Sequence, residues 1–189
     1  MNRFLKAFLG LFFGMSSPLP RSGSLMFSIM RGSSEDRRLA LKKFHFWNKF
    51  FIIPLYRVNI LPLFFLSRFF LLLYTRGRKS GLRRITPVEF RKYQEHFLLF
   101  SSRGTYADWF NNLVANPDAA LIKKGFRKFR PSFEVLSDLQ EKISIMSWYA
   151  SSFPGASKQL FGFDKSIDEP SDALFRPIAE FIEIVKFKL

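Results

Sequence analysis

Residues 76–87 read Arg-Gly-Arg-Lys-Ser-Gly-Leu-Arg-Arg-Ile-Thr-Pro and follow directly on an apolar run, Phe-Phe-Leu-Leu-Leu-Tyr, at residues 69–74. The run is short, bulky and aromatic and ends in a glycine-bearing turn, which predicts a buried strand. The cations Arg76, Arg78, Lys79, Arg83 and Arg84 then crowd around Gly77, Gly81 and the hydroxyl of Ser80. A strand that delivers the chain into such a turn gathers backbone N–H groups, a hydroxyl and positive charge in one small volume. That is the chemistry of an anion site, and of phosphate in particular. The Gly-x-x-x-x-Gly-Lys-Ser/Thr spacing is absent, so the turn is not a P-loop.

Charge is distributed unevenly along the 189 residues. Residues 1–130 hold 24 Lys or Arg and 6 Asp or Glu, net +18; residues 131–189 hold 6 and 9, net −3. The anion-seeking surface therefore belongs to the first two thirds. The length suits one domain with a core of useful size. With no cysteine there is no disulfide, no thiolate nucleophile and no cysteine metal site. The two histidines, His45 and His96, are far apart, and no metal is expected.

Residues 1–15 combine Arg3 and Lys6 with Phe4, Leu5, Phe8, Leu9, Phe12 and Phe13. The apolar length is short of the roughly 20 residues of a spanning helix, and no clean small-x-small cleavage pattern follows. An amphipathic helix in the membrane interface is the reading adopted. Residues 16–32, rich in Ser, Gly and Pro, read as a linker. The organisation expected is thus an amphipathic segment and linker at residues 1–33, then one domain at residues 34–189.

A helix capped by Ser33 or Ser34 is expected to run to Pro54. Residues 58–67 read as a short helix or hydrophobic loop. Strands are predicted at residues 85–90, 96–101 and 119–123, with Lys124-Gly125 turning into a fourth at 126–135. A helix at residues 106–114 stops at Asn116-Pro117. A helix at residues 138–151, an irregular Pro/Gly segment, a helix at 171–176 and a closing strand at 181–187 complete the pattern. Sequential short strands with tight turns indicate an antiparallel barrel or roll.

Gly77-Arg78-Lys79-Ser80-Gly81, Arg84, Thr86-Pro87, Ser102, Trp109, Asn112-Leu113 and Ala115-Asn116-Pro117 together resemble the deazaflavin-dependent nitroreductase family. The resemblance covers roughly residues 70–135, more weakly to residue 187. It implies an α+β fold, a split β-barrel of the FMN-binding β-roll kind with flanking helices and an N-terminal amphipathic extension. It also implies coenzyme F420 as cofactor, with FMN less favoured. Carried over by motif, Lys79 and Arg84 would hold the coenzyme's phosphate, with Ser80 and Gly81 supplying turn hydrogen bonds and Arg78 counted beside them at the cofactor site. Thr86 and Pro87 would line the ring pocket, Ser101, Ser102 and Gly104 would approach the ring edge, and Trp109 and Asn112 would cover it from one helix face. Trp109 fits a core plug equally well.

Two departures from the family pattern bear on activity. Leu82 stands where many members carry a second lysine, and the tyrosine cluster of the nitroimidazole-reducing members has no equivalent at residues 152–157, Ser-Phe-Pro-Gly-Ala-Ser. The expected function is an oxidoreductase that transfers hydride from reduced F420 to a small apolar acceptor, a quinone, enone or nitroaromatic. Tyr106 is a weak candidate for proton delivery. The alternative is a non-catalytic carrier of F420, flavin, haem or lipid. The cations are interleaved with aliphatic bulk rather than with an aromatic platform, so no nucleic-acid partner is expected. A cytoplasmic protein with peripheral contact at the inner face of the membrane, compatible with a dimer, completes the expectation.

Overall fold

In the computed structural model the chain is described at residues 19–35, 38, 42, 46, 48–58 and 69–188. The amphipathic segment expected at residues 1–15, most of the first expected helix (36, 37, 39–41, 43–45 and 47) and residues 59–67 of the short helix or loop lie outside the described residues. The chain divides into two compact units, the described part of Met1–Arg31 with Leu139–Glu180, and Gly32–Asp138 with Phe181–Leu189. In chain order the elements are α1 (Leu25–Arg31), a π-type turn (Asn48–Ile52) running into α2 (Ile53–Arg57), β1 (Phe70–Arg76), β2 (Arg83–Tyr93), β3 (His96–Ser101), α3 (Asp108–Ala115), β4 (Leu121–Lys124), β5 (Arg127–Phe129), β6 (Ser132–Val135), α4 (Leu139–Ser152), α5 (Pro154–Phe161), α6 (Asp172–Phe181) and β7 (Glu183–Lys188).

The second unit is built on one antiparallel sheet of seven strands in the order β5-β4-β1-β2-β3-β7-β6. β5 and β6 are the two edges, yet only Arg130 and Pro131 separate them in sequence. Three Cα–Cα steps place Phe129 and Ser132 within about 11 Å, whereas seven flat strands would set the edges roughly 29 Å apart. The sheet must therefore roll, and the expected barrel-like α+β fold follows from that connection. The continuous strand predicted at residues 126–135 is corrected at the same point. Pro131 cannot donate to a ladder and breaks the pairing, so one half closes each edge.

β1 is central and buried on both faces, which explains its unalternating sequence. Leu71 and Leu73 face a core with Val88, Phe90, Phe97, Leu99, Ile122, Val185 and Phe187, and α3 adds Phe110 and Leu113 from its i, i+3 face. Leu72 and Tyr74 point the other way and pack on Tyr56, Ile52 and Leu55 of the π turn and α2. Each fully buried leucine contributes about 1.5–3 kcal/mol. Where the expected helix was to stop, at Pro54, a separate short helix α2 (Ile53–Arg57) begins instead, and Pro54 sits in its first turn, where no N–H is required. Tyr56 ties this helix to the sheet: its hydroxyl donates to Phe70 O (3.2 Å) and accepts from Gly125 N–H (2.9 Å). Buried Lys123 donates to Tyr56 O at 3.0 Å. Burial, and secondly the charge of Lys128, lowers the pKa of Lys123.

The first unit corrects two expectations. Residues 19–31, read as linker, are packed: Leu19 and Met26 are fully buried and residues 25–31 form α1. Arg21 makes a two-pronged pair with Asp168 (2.7 and 2.5 Å) and donates to Gly162 O (3.1 Å). The segment read as irregular after residue 151 is helical over Pro154–Phe161, started by proline and ended by Gly162 at φ +82°. The Asp168 side chain has no solvent exposure and also accepts the Asp164 N–H at 2.7 Å. Breaking a buried pair from one side leaves an uncompensated charge. Asp168→Ala is expected to destabilise by about 3 kcal/mol, read by urea unfolding; a loss below about 0.5 kcal/mol would mean the pair behaves as a surface bridge. Among the described residues no helix is long and apolar enough to cross a membrane.

Candidate functional site

Six residues, 77–82, connect β1 to β2, and their geometry is fixed from within. Gly77 N–H donates to Leu82 O and Gly81 N–H to Gly77 O, both at 2.8 Å. Gly81 takes φ +67°, a conformation that side-chain-bearing residues avoid. At Gly77 a Cβ would lie 2.8 Å from Ser80 Oγ, so glycine lets the turn close on its own hydroxyl. Ser80 Oγ in turn accepts from Arg84 Nη2 at 3.3 Å, which orients that guanidinium across the turn.

α3 holds the turn from the other side. Asn112 Oδ1 accepts from the Arg78 backbone N–H (3.0 Å) and from Arg78 Nη1 (3.2 Å), and Asp108 Oδ1 pairs with the same Nη1 at 3.0 Å. Asn116 Nδ2 donates to Arg76 O at 3.3 Å. α3 itself begins with Asp108 in the first turn, where the helix dipole favours an acid, and stops before Pro117. Since Asn112 is buried, its loss leaves the Arg78 N–H without its partner. Asn112→Ala is expected to destabilise by about 1–3 kcal/mol in urea unfolding and to loosen the cationic turn.

Between the turn, β2 and α3 lies a cavity of about 520 Å³, a size typical of small-molecule sites. Gly77, Arg78, Lys79, Ser80 and Arg84 line one side; Ile85, Thr86 and Pro87 of β2, Trp109 and Asn112 of α3, and Asn48, Lys49 and Ile53 line the rest. Four cations and one acid, Asp108, face it, and that acid is already paired with Arg78. Among the described residues Lys79 has no acidic partner. The cavity thus joins a cationic rim to an apolar wall of Ile53, Ile85, Pro87 and Trp109.

Eight of the twelve residues expected at a cofactor site line this cavity: Arg78, Lys79, Ser80, Arg84, Thr86, Pro87, Trp109 and Asn112. The other four do not. Gly81 borders a separate cleft of about 410 Å³ with Arg76, Arg83 and Arg130. Ser101 is buried and donates its hydroxyl to Gly104 O at 2.8 Å. Gly104 takes φ +53°, and a Cβ there would overlap the carbonyl oxygen of Phe181. Ser102 is half-buried and not among the lining residues. Tyr106 is 73% exposed and outside the cavity, so the structure does not position it for proton delivery. Asn48, Lys49 and Ile53 were not foreseen; nothing local in their sequence points to a site some 30 residues downstream. Among the described residues no group of three His, Asp or Glu is placed to hold a metal.

Residues 65–138 match the family model described as F420H(2)-dependent quinone reductase. No curated protein matches the chain. Among solved structures, the F420-H2 dependent reductase FDR-A is 17% identical with a TM-score of 0.42, covering 64% of this chain and 95% of that one. ChuZ from Campylobacter jejuni is 16% identical, TM-score 0.44, covering 84% and 62%. HutZ from Vibrio cholerae, a heme storage protein, is 14% identical, TM-score 0.40, covering 67% and 84%. Likenesses at this level leave the fold to be read from the sheet itself.

Proposed function

We infer that this chain, whose residues 65–138 match the F420H(2)-dependent quinone reductase family model, is an F420-dependent oxidoreductase that reduces a small apolar acceptor in the cavity beneath the β1–β2 turn. The observation that carries the reading is the match itself, which spans both the cationic turn and α3. The cavity fits the coenzyme chemically. A deazaflavin with a phosphate and a carboxylate tail needs positive charge at one end and a flat apolar wall at the other. Lys79, Arg84 and the Ser80 hydroxyl would hold the phosphate, Arg78 being fixed by Asn112 and Asp108. Thr86, Pro87 and Trp109 would border the ring. Bound F420 in its reduced form supplies a hydride.

The residues of the chain orient and desolvate. Pro87, Ile85, Ile53 and Trp109 present carbon to the acceptor and exclude water from the reacting face. A quinone that takes up a hydride also needs one proton to become the hydroquinone. The lining contains no histidine, and Asp108 is held by Arg78, which leaves water or the ammonium of Lys49 or Lys79 to supply that proton. Anaerobic mixing of the protein and reduced F420 with menadione, cyclohexenone and a nitroimidazole, following cofactor oxidation, tests the reading. Turnover of menadione or cyclohexenone ahead of the nitroimidazole is expected, because the tyrosine cluster of the nitroimidazole reducers is missing. Tight binding of F420 with no oxidation by any acceptor would replace the enzyme with a carrier.

A further inference from the structure

The helical segment that lends Asn48, Lys49 and Ile53 to the cavity turns another side to solvent. Phe46, Phe50, Phe51 and Val58 are 53, 56, 41 and 63% exposed, and Pro54 is exposed with them. The Phe46 ring lies 5.0 Å from that of Phe50 and 6.2 Å from that of Phe51, so the three form one continuous apolar patch. Its inward side is occupied by Ile52, Leu55 and Tyr56 packing on the sheet. Through the Tyr56 hydroxyl the segment is held at Phe70, and Phe69 and Phe70 are themselves 48 and 38% exposed. Lys42, Lys49 and Arg57 are exposed along the same stretch.

Residues 37–88 contain twelve Lys or Arg and no Asp or Glu. Clustered exposed phenylalanines mark an interaction surface, and the absence of any acid over 52 residues selects a partner of negative charge. Aromatic and aliphatic side chains beside cations on a helix are the composition of a segment lying in a bilayer interface. The rings lean on one another, tilted at 43° and 54°, rather than standing free to stack with bases. The same stretch also exposes the aliphatic Pro54 and Val58, which a nucleic acid would not use. We propose that this face docks the protein on an anionic lipid bilayer, with Phe46, Phe50 and Phe51 entering the headgroup–acyl boundary and Lys42 and Arg57 meeting lipid phosphates. The inference stands on the surface alone and goes beyond the reductase reading. It places the cavity-lining segment in contact with the phase where apolar acceptors dissolve.

The chain has no cysteine, so Phe50→Cys in the full-length protein carries a single environment-sensitive fluorophore. Vesicles of phosphatidylcholine with about one third phosphatidylglycerol are expected to shift its emission to the blue and brighten it about twofold or more, with nitroxide-lipid quenching; pure phosphatidylcholine should do much less. Phe46→Ser, Phe50→Ser and Phe51→Ser together should lower vesicle co-sedimentation about tenfold. If that triple variant does not fold, the labelled single variant decides alone. Sedimentation without any fluorophore response would assign the contact elsewhere, for instance to residues 1–15, and overturn the proposal. So would a fluorophore already shielded without vesicles, which would mean a cover of protein, or a response to an oligonucleotide and not to lipid.

Discussion

Replacing Lys79 and Arg84 together by alanine is expected to weaken F420 binding at least tenfold, about 1.4 kcal/mol, in a fluorescence titration. Both side chains line the cavity, Lys79 without an acidic partner among the described residues, and Arg84 oriented by Ser80 Oγ. Neither makes a contact that the core depends on, so the double variant should fold with near-normal stability. Loss of affinity would then report the anion site rather than the scaffold. A charge-matched control is available in Lys92→Ala with Lys188→Ala, two exposed residues of the same unit outside the cavity lining, Lys92 lying eight positions along β2 from Arg84. The control should leave affinity within about twofold, because distant surface charges are screened over roughly 8–10 Å at ordinary salt. Equal loss in both variants would reduce the assignment to a general effect of net charge. No loss in either would remove the phosphate from this turn.

Gly104→Ala is expected to cost stability rather than coenzyme affinity. Its φ of +53° lies in the left-handed region, where a side chain costs roughly 1–2 kcal/mol. The added methyl would also overlap the Phe181 carbonyl oxygen, a backbone atom that a rotamer change cannot move. The turn at Gly104–Tyr106 leads into α3, so displacement there would propagate to the helix that holds Arg78. Together these place the loss at about 2–4 kcal/mol, or a fall in Tm of about 5–15 °C. The resemblance had set Gly104 beside the ring of the coenzyme. If the variant kept its Tm and lost F420 affinity instead, that placement would be right and the backbone explanation wrong.

The contrast between the Lys79–Arg84 turn and Gly104 indicates what was legible in the sequence. The cationic turn is contiguous: its cations, glycines and hydroxyl stand within a dozen residues, and a local signal of that kind survives reading without a structure. β1 and β3 were equally plain, because a strand buried on both faces leaves an apolar run. β5 and β6 were not, since Pro131 separates two short strands whose partners, β4 and β7, lie in opposite directions along the chain. Residues 19–31 have the composition of a linker, and partners far along the chain, Gly162 and Asp168, 147 positions away from Arg21, help make them a packed segment. The cavity shows the same limit. Its far wall, Asn48, Lys49 and Ile53, is assembled by the packing of Ile52, Leu55 and Tyr56 on β1 and neighbouring strands, a contact that no local periodicity records.

The central claim is that the β1–β2 turn and α3 form a deazaflavin site, and parallel titration of the full-length protein with F420, FMN and haem tests it most directly. F420 is expected to saturate at one molecule per chain and to bind at least about tenfold more tightly than FMN, with haem giving no stoichiometric spectral change. Tighter binding of FMN or stoichiometric uptake of haem, with F420 failing to saturate, would contradict it.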